Sequence, residues 1–135
     1  MRLFLLSILL FLFTTNWSQN DTVKVISPND PNAIYDVVEV PPEFPGGMAK
    51  MYEYLGSSII YPKKAAKKNI TGKVYVQFVV TQTGEITEVE ILKGAHPLLD
   101  EESIRVISAM PNWKPGEQRG KKVRVRYTIP INYTL

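Results

Sequence analysis

The side chains that could act as a nucleophile, a general base or a metal ligand are few in this sequence. It contains no cysteine, and His96 is its only histidine. A Ser-His-Asp arrangement would need His96, yet no nucleophile elbow accompanies it. The pattern H-E-x-x-H is missing, no cluster has metal-ligand spacing, and the glycines form no phosphate-binding loop. We therefore expect no enzymatic activity, no metal and no cofactor.

The acidic residues that follow His96 are better explained by helix structure than by catalysis. Asp100, Glu101 and Glu102 come just after Pro97, where the first turn of a helix tolerates proline and the helix dipole favours negative charge. We predict a local structural role for His96 and for these acids.

Charge is the remaining candidate chemistry. Residues 114–126 hold six basic residues and one glutamate, while residues 21–53 hold six acidic residues and two lysines. The basic run fits either a solvated strand face or a docking surface for an acidic or polar partner. No base-stacking motif accompanies it, so we expect no nucleic-acid partner.

The N-terminus resembles an export signal. After Met1 and Arg2, the apolar run "LFLLSILLFLF" would span only about 16 Å as a helix, whereas a bilayer core needs roughly 30 Å. We predict that residues 1–18 are a cleaved signal peptide; the alternative is an uncleaved inner-membrane anchor. Residues 19–43 are polar and contain prolines, which predicts a flexible leader with a short strand at residues 35–40.

The elements of the first half follow from periodicity. A turn at "PGG" precedes a predicted helix, which we expect Gly56 to end. Its apolar stripe comprises Met48, Met51, Tyr52 and Leu55. A second short helix, rich in lysine, is predicted to start after Pro62.

The second half predicts a hairpin, a longer helix and a final strand. Alternation marks strands near residues 73–81 and 87–91, with Gly84 in the turn between them. A helix follows from Pro97, and an alternating strand begins at residue 122. The residues expected in the core are Val76, Phe78, Val106, Ile107, Val125 and Tyr127. We predict that Trp113 is a core residue between the helix and the final strand. The alternative is an exposed aromatic residue that recognises a partner.

Chain direction restricts the place of the final strand. In an all-antiparallel sheet it must lie beside the first strand of the hairpin, which leaves it at an edge. Pro130 agrees with this position, because proline cannot donate a hydrogen bond to a neighbouring strand and is tolerated mainly at edges.

These features together resemble the C-terminal domain of the TonB energy-transducing proteins. The resemblance covers about residues 41–135, and we place the domain at residues 44–135. It rests on the order and spacing of Tyr61-Pro62, Ala65 or Ala66, Gly72, the Val/Phe alternation, Gly84, Leu99-Asp100, Trp113-Lys114-Pro115 and Pro130-Ile131.

The resemblance implies a fold and a function. It implies an α+β fold of two helices packed on a three-stranded antiparallel sheet, with the final strand at a sheet edge. It also implies a periplasmic module that adds the N-terminal box peptide of an outer-membrane TonB-dependent receptor to that strand, in energy-coupled transport, without itself binding a small-molecule substrate. The partner-binding residues would then be Lys64, Lys122, Arg124, Arg126, Thr128 and Asn132.

The sequence also departs from the family pattern. Full transducers carry a membrane anchor and a long Pro/Lys-rich spacer, whereas here the N-terminus resembles a cleavable signal. Ser58, Ile59 and Ile60 stand where better-known members have a Gln-Pro pair. The alternative is a TonB-like domain used as a non-transport structural or interaction protein of the envelope. An edge strand can also pair with its own copy, so a strand-exchanged homodimer is a further prediction.

The export prediction can be checked directly. Because the apolar run is too short to span a bilayer, we expect the mature protein to begin near Gln19. N-terminal sequencing or intact mass of the periplasmic fraction measures this. Recovery of the full-length mass in the inner membrane would instead establish the uncleaved anchor.

Overall fold

The computed structural model describes residue 27 and residues 29–135, so the predicted signal peptide lies outside the described residues. No helix in this described part is long and apolar enough to cross a membrane. The elements, in chain order, are β1 (Ile34–Tyr35), α1 (Met48–Ser58), α2 (Lys63–Lys67), β2 (Gly72–Val80), β3 (Ile86–Lys93), α3 (Pro97–Ser108), β4 (Gly116–Gln118) and β5 (Lys121–Tyr133).

The sheet has the strand order β1-β5-β2-β3, and β4 pairs with the start of β5. β5 runs antiparallel to β2, from the pair Gly72 and Tyr133 to the pair Val80 and Val125. The predicted α+β architecture is therefore confirmed, with the final strand beside the first strand of the hairpin. The sheet is mixed rather than purely antiparallel, because β1 joins β5 in parallel.

The β2–β3 turn is joined to the loop that follows α3. Gly84 has a φ of 87°, a left-handed conformation that glycine adopts without strain. The Trp113 amide donates to the Gly84 carbonyl at 2.8 Å. A Cβ added at Gly84 would lie 1.9 Å from the Trp113 carbonyl oxygen, so no larger residue fits there.

The core lies between the helices and one face of the sheet. Val76, Phe78, Val106, Ile107 and Val125 are buried as predicted, and Tyr127 is half-buried against the same cluster. Trp113 is only 3% exposed, which confirms its place in the core. Its ring meets those of Phe78 and Tyr127 edge-on, at centroid distances of 5.4 and 5.1 Å. Such geometry suits the charge distribution of aromatic rings.

The start of α3 confirms the structural roles predicted for His96 and Asp100. His96 is the N-cap residue, and its Nδ1 accepts a hydrogen bond from the Leu98 amide at 3.1 Å. The Asp100 carboxylate accepts from the Ala95 amide at 3.1 Å. Both bonds satisfy amides at the helix start that have no partner within the helix.

The end of α1 differs from the prediction. Gly56 does not end the helix, which continues to Ser58. Arg105 of α3 donates from Nη2 to the Ser58 carbonyl at 2.9 Å, and the Ile60 amide donates to Glu102 Oε1 at 2.9 Å. The side-chain hydrogen bond from Arg105 also holds the pKa of Glu102 below its usual value, although burial opposes this shift. Contacts with α3 thus extend α1 past its glycine.

The aromatic centre of the core provides a stability prediction. Phe78 has no exposed surface, so Phe78→Ala should lower the free energy of unfolding by about 3–5 kcal/mol. Urea unfolding followed by circular dichroism measures this change. Tyr52→Ala is the control, since Tyr52 is 53% exposed and its replacement should cost less than about 1 kcal/mol. A loss below about 1 kcal/mol for Phe78→Ala would show that β2 faces the core differently.

Candidate strand-docking interface

Among the described strands, only β1 pairs with the outer edge of β5, near the beginning of that strand. Val125 pairs with Val80 of β2 on one side and with Tyr35 of β1 on the other. A strand has two edges, so β1 must lie on the edge that faces away from β2. Along that edge, from residue 126 to residue 133, none of the described strands pairs with β5. This stretch is the open edge.

Pro130 indicates which backbone groups point outward along the open edge. It stands opposite Tyr75 in β2, and it has no amide hydrogen. In an antiparallel ladder, successive residues turn their N–H and C=O groups to opposite sides. The ladder with β2 is complete only if the backbone groups of the odd-numbered residues point toward β2. The backbone groups of the even-numbered residues, which include Pro130, therefore point outward. Thr128 and Asn132 then present free amides, whereas the amide of Arg126 is directed toward β1.

Two of the predicted partner-binding cations already have acidic partners within the chain. Arg126 Nη1 lies 2.8 Å from Asp36 Oδ1, just after β1, and Arg124 Nη2 lies 3.4 Å from Glu88 Oε2 in β3. The Asp36 side chain is 70% exposed and that of Arg126 is 37% exposed. Exposed ion pairs of this kind contribute about 0–1 kcal/mol, so another carboxylate can replace Asp36 at little cost.

The structure brings four of the six predicted partner-binding residues together. Arg124, Arg126, Thr128 and Asn132 alternate along β5 with its core residues, so their side chains share the face away from the helices. Lys122 precedes the open edge and pairs with Glu117 in the β4–β5 hairpin.

Lys64 stands apart from this group, exposed on α2. α2 follows Tyr61, whose ring packs against that of Tyr133 with a centroid distance of 5.7 Å. The structure therefore does not place Lys64 on the same face as the β5 cations.

Sequence reasoning did not identify Asp36 and Glu88 as part of this surface. Asp36 lies in the segment predicted to be a leader, and no local pattern points from it to Arg126, 90 residues later. The sequence indicated the position of Glu88 in part, because the alternation of the second hairpin strand places it on the face opposite the core.

These features define an α+β domain in which no described strand pairs with the outer edge of β5 from residue 126 to residue 133. The chain belongs to the family described as the Gram-negative bacterial TonB protein C-terminal domain, whose family model matches residues 57–135. This confirms the resemblance found in the sequence.

Solved structures agree with the family. The chain is similar to a solution NMR structure of the Helicobacter pylori TonB C-terminal domain, residues 179–285 of that protein, with a TM-score of 0.51 and 25% identity. That match covers 64% of this chain and 78% of the other. A second structure of the same domain, residues 194–285, matches with a TM-score of 0.50 and 24% identity over 64% of this chain and 90% of the other, and it supports the fold alone. No curated protein matches the chain.

The ion pair at the open edge provides a prediction. Because Asp36 and Arg126 are both accessible to water, Asp36→Asn should change the free energy of unfolding by no more than about 1 kcal/mol. Urea unfolding measures the change. Glu102→Gln is the contrasting variant: its carboxylate is largely buried and binds both Arg105 and the Ile60 amide, so the loss should be larger. An Asp36→Asn loss of about 2 kcal/mol or more would mean that Arg126 is a structural residue, not an exchangeable one.

Proposed function

We propose that this protein is a periplasmic binding module that adds an extended segment of a partner protein to the open edge of β5. The partner is the N-terminal box peptide of an outer-membrane TonB-dependent receptor, and the binding serves energy-coupled transport. The open edge carries the proposal, because the backbone of a strand at a sheet edge can pair with any extended peptide. Membership of the TonB C-terminal family supports the choice of partner.

The open edge suits a reversible contact. Between residues 126 and 132, the outward backbone groups are two amides and the carbonyls of the even-numbered residues. Four to six hydrogen bonds at roughly 0.5–1.5 kcal/mol each provide only modest affinity. A contact that must be released after each transport event requires that property.

The side chains of the outer face add steering and register. Arg124 and Arg126 exchange their internal carboxylates for those of the partner, and Thr128 and Asn132 hydrogen-bond to its polar side chains. Lys122 and Lys64 are predicted to extend the positive potential on either side of the edge. Electrostatic attraction of this kind acts mainly on the rate of association.

The same edge also fits a second copy of the chain, as a strand-exchanged dimer. The alternative function, an envelope interaction protein outside transport, uses this edge as well. Binding to receptor peptides separates the first proposal from these two.

The test separates backbone pairing from charge. Thr128→Pro removes the first free amide beyond β1, and Pro130, two residues later, shows that this strand accommodates proline at an outward position. We expect this variant to remain folded and to bind less tightly at every salt concentration, because at least one intermolecular hydrogen bond is lost. Arg124→Gln with Arg126→Gln should instead slow association and reduce the salt dependence. The probes are synthetic N-terminal peptides of TonB-dependent receptors from the same genome, titrated at low and high salt.

Thr128→Val is the matched control, since it keeps the backbone amide and the side-chain shape; it should lose only the side-chain hydrogen bond of Thr128 and bind more tightly than Thr128→Pro. Circular dichroism is measured first for each variant. A folded Thr128→Pro protein that binds as well as the wild type would rule out strand addition at this edge. If none of the receptor peptides binds the wild-type protein, the receptor assignment is wrong, and sedimentation then tests for the strand-exchanged dimer.

A further inference from the structure

One flank of α1 forms an apolar wall beside the open edge. α3 packs against β2 and β3. α1 lies beside α3, since the Tyr54 hydroxyl donates to the Val106 carbonyl at 3.0 Å. On the other side, Met48 and Met51 of α1 line a groove together with Tyr127 of β5. α1 therefore covers the β5 side of the sheet.

Helix geometry orients the exposed apolar residues of α1. Successive residues turn by about 100°, so the side of α1 opposite Tyr54 carries Met48 and Tyr52. Met48 is 59% exposed and Tyr52 is 53% exposed, although both belong to the apolar stripe that the sequence predicts. Because Tyr54 faces α3, these two residues lie on the flank of α1 away from α3, and Met48 shares a groove with Tyr127 of β5.

The groove at this flank is mainly apolar, and one of its lining residues, Trp113, has a buried polar atom without a partner among the described residues. Besides Met48, Met51 and Tyr127, it is lined by Pro41, Pro42, Glu43, Phe44 and Trp113. The indole Nε1 of Trp113 is buried and has no hydrogen-bond acceptor among the described residues.

A strand added to β5 places alternate side chains on opposite faces of the sheet. On the helix side these side chains meet Met48, Tyr52 and the groove. On the other side they meet the basic and polar face that carries Arg126 and Thr128. We infer that the partner segment alternates apolar residues with acidic or polar ones, and that Met48 and Tyr52 select the apolar positions. This inference rests on the proposed strand addition and specifies which sequence the edge accepts.

Two synthetic peptides of equal composition test the inference. One alternates leucine with threonine and aspartate; the other has its leucines in one block and its polar residues in another. Titrated against the full-length chain, the alternating peptide should bind at least about tenfold more tightly, because only it turns all its leucines toward α1. Met48→Ser with Tyr52→Ser should weaken its binding by about tenfold and remove the preference.

Lys50→Ser with Glu53→Ser is the matched control. These residues lie on the solvent side of the same helix, and the double change also leaves the net charge unaltered. It should not affect binding of either peptide, and circular dichroism confirms the fold of both double variants.

The outcomes separate this inference from the proposed function. Equal binding of the two peptides, no binding of the alternating one, or unchanged binding by the Met48 and Tyr52 variant would overturn the apolar wall. Strand addition stands in each case if the receptor peptides still bind less tightly on Thr128→Pro. A preference for the alternating peptide that survives Thr128→Pro would show that the groove acts apart from the edge, and this too would overturn the inference.

Discussion

The backbone ladder between β2 and β5 is the interaction on which the rest of the structure depends. It joins residue 72 to residue 133 and residue 80 to residue 125, so it closes a loop that contains β3, α3 and β4. Closing such a loop costs chain entropy before any contact stabilises it. The buried residues of both strands offset this cost, because they form one continuous apolar face beneath the helices. Because β2 occupies one edge of β5, the opposite edge of β5 is left for β1 and for the open stretch.

That edge is protected at one end and open at the other. β1 covers it as far as Val125, and the ion pair between Asp36 and Arg126 ends this cover. Two features discourage indiscriminate pairing between copies, as at other natural sheet edges. These are the charged residues that precede the open stretch and Pro130 within it. The cover and these residues thus limit aggregation along an edge whose second half no described strand covers.

The two faces beside the open edge are positioned by different interactions. The outer face is set by the alternation of β5 alone, which places Arg126 and Thr128 together. The apolar wall on the helix side depends on the position of α1 against α3. Tyr54 donates to the Val106 carbonyl, and Arg105 donates to the Ser58 carbonyl at the end of α1. Because the side chains bind backbone groups on both helices, the helices cannot rotate independently, and Met48 and Tyr52 remain on the exposed flank.

The sequence by itself determined the main helices and strands, the α+β architecture and most of the core, but not β4 or the parallel position of β1. Periodicity of 2 and of 3.6 residues is a local property, so the hairpin, α3 and the burial of Phe78 and Ile107 could be predicted. The direction of the chain was enough to place β5 beside β2. The tertiary structure decided what local patterns do not encode. α1 continues past Gly56 because α3 binds its end, and Arg126 pairs with an aspartate 90 residues away. An apolar stripe shows which side of α1 avoids water, but not how far its neighbours cover it, and Met48 and Tyr52 are exposed because α3 lies only on the side of Tyr54.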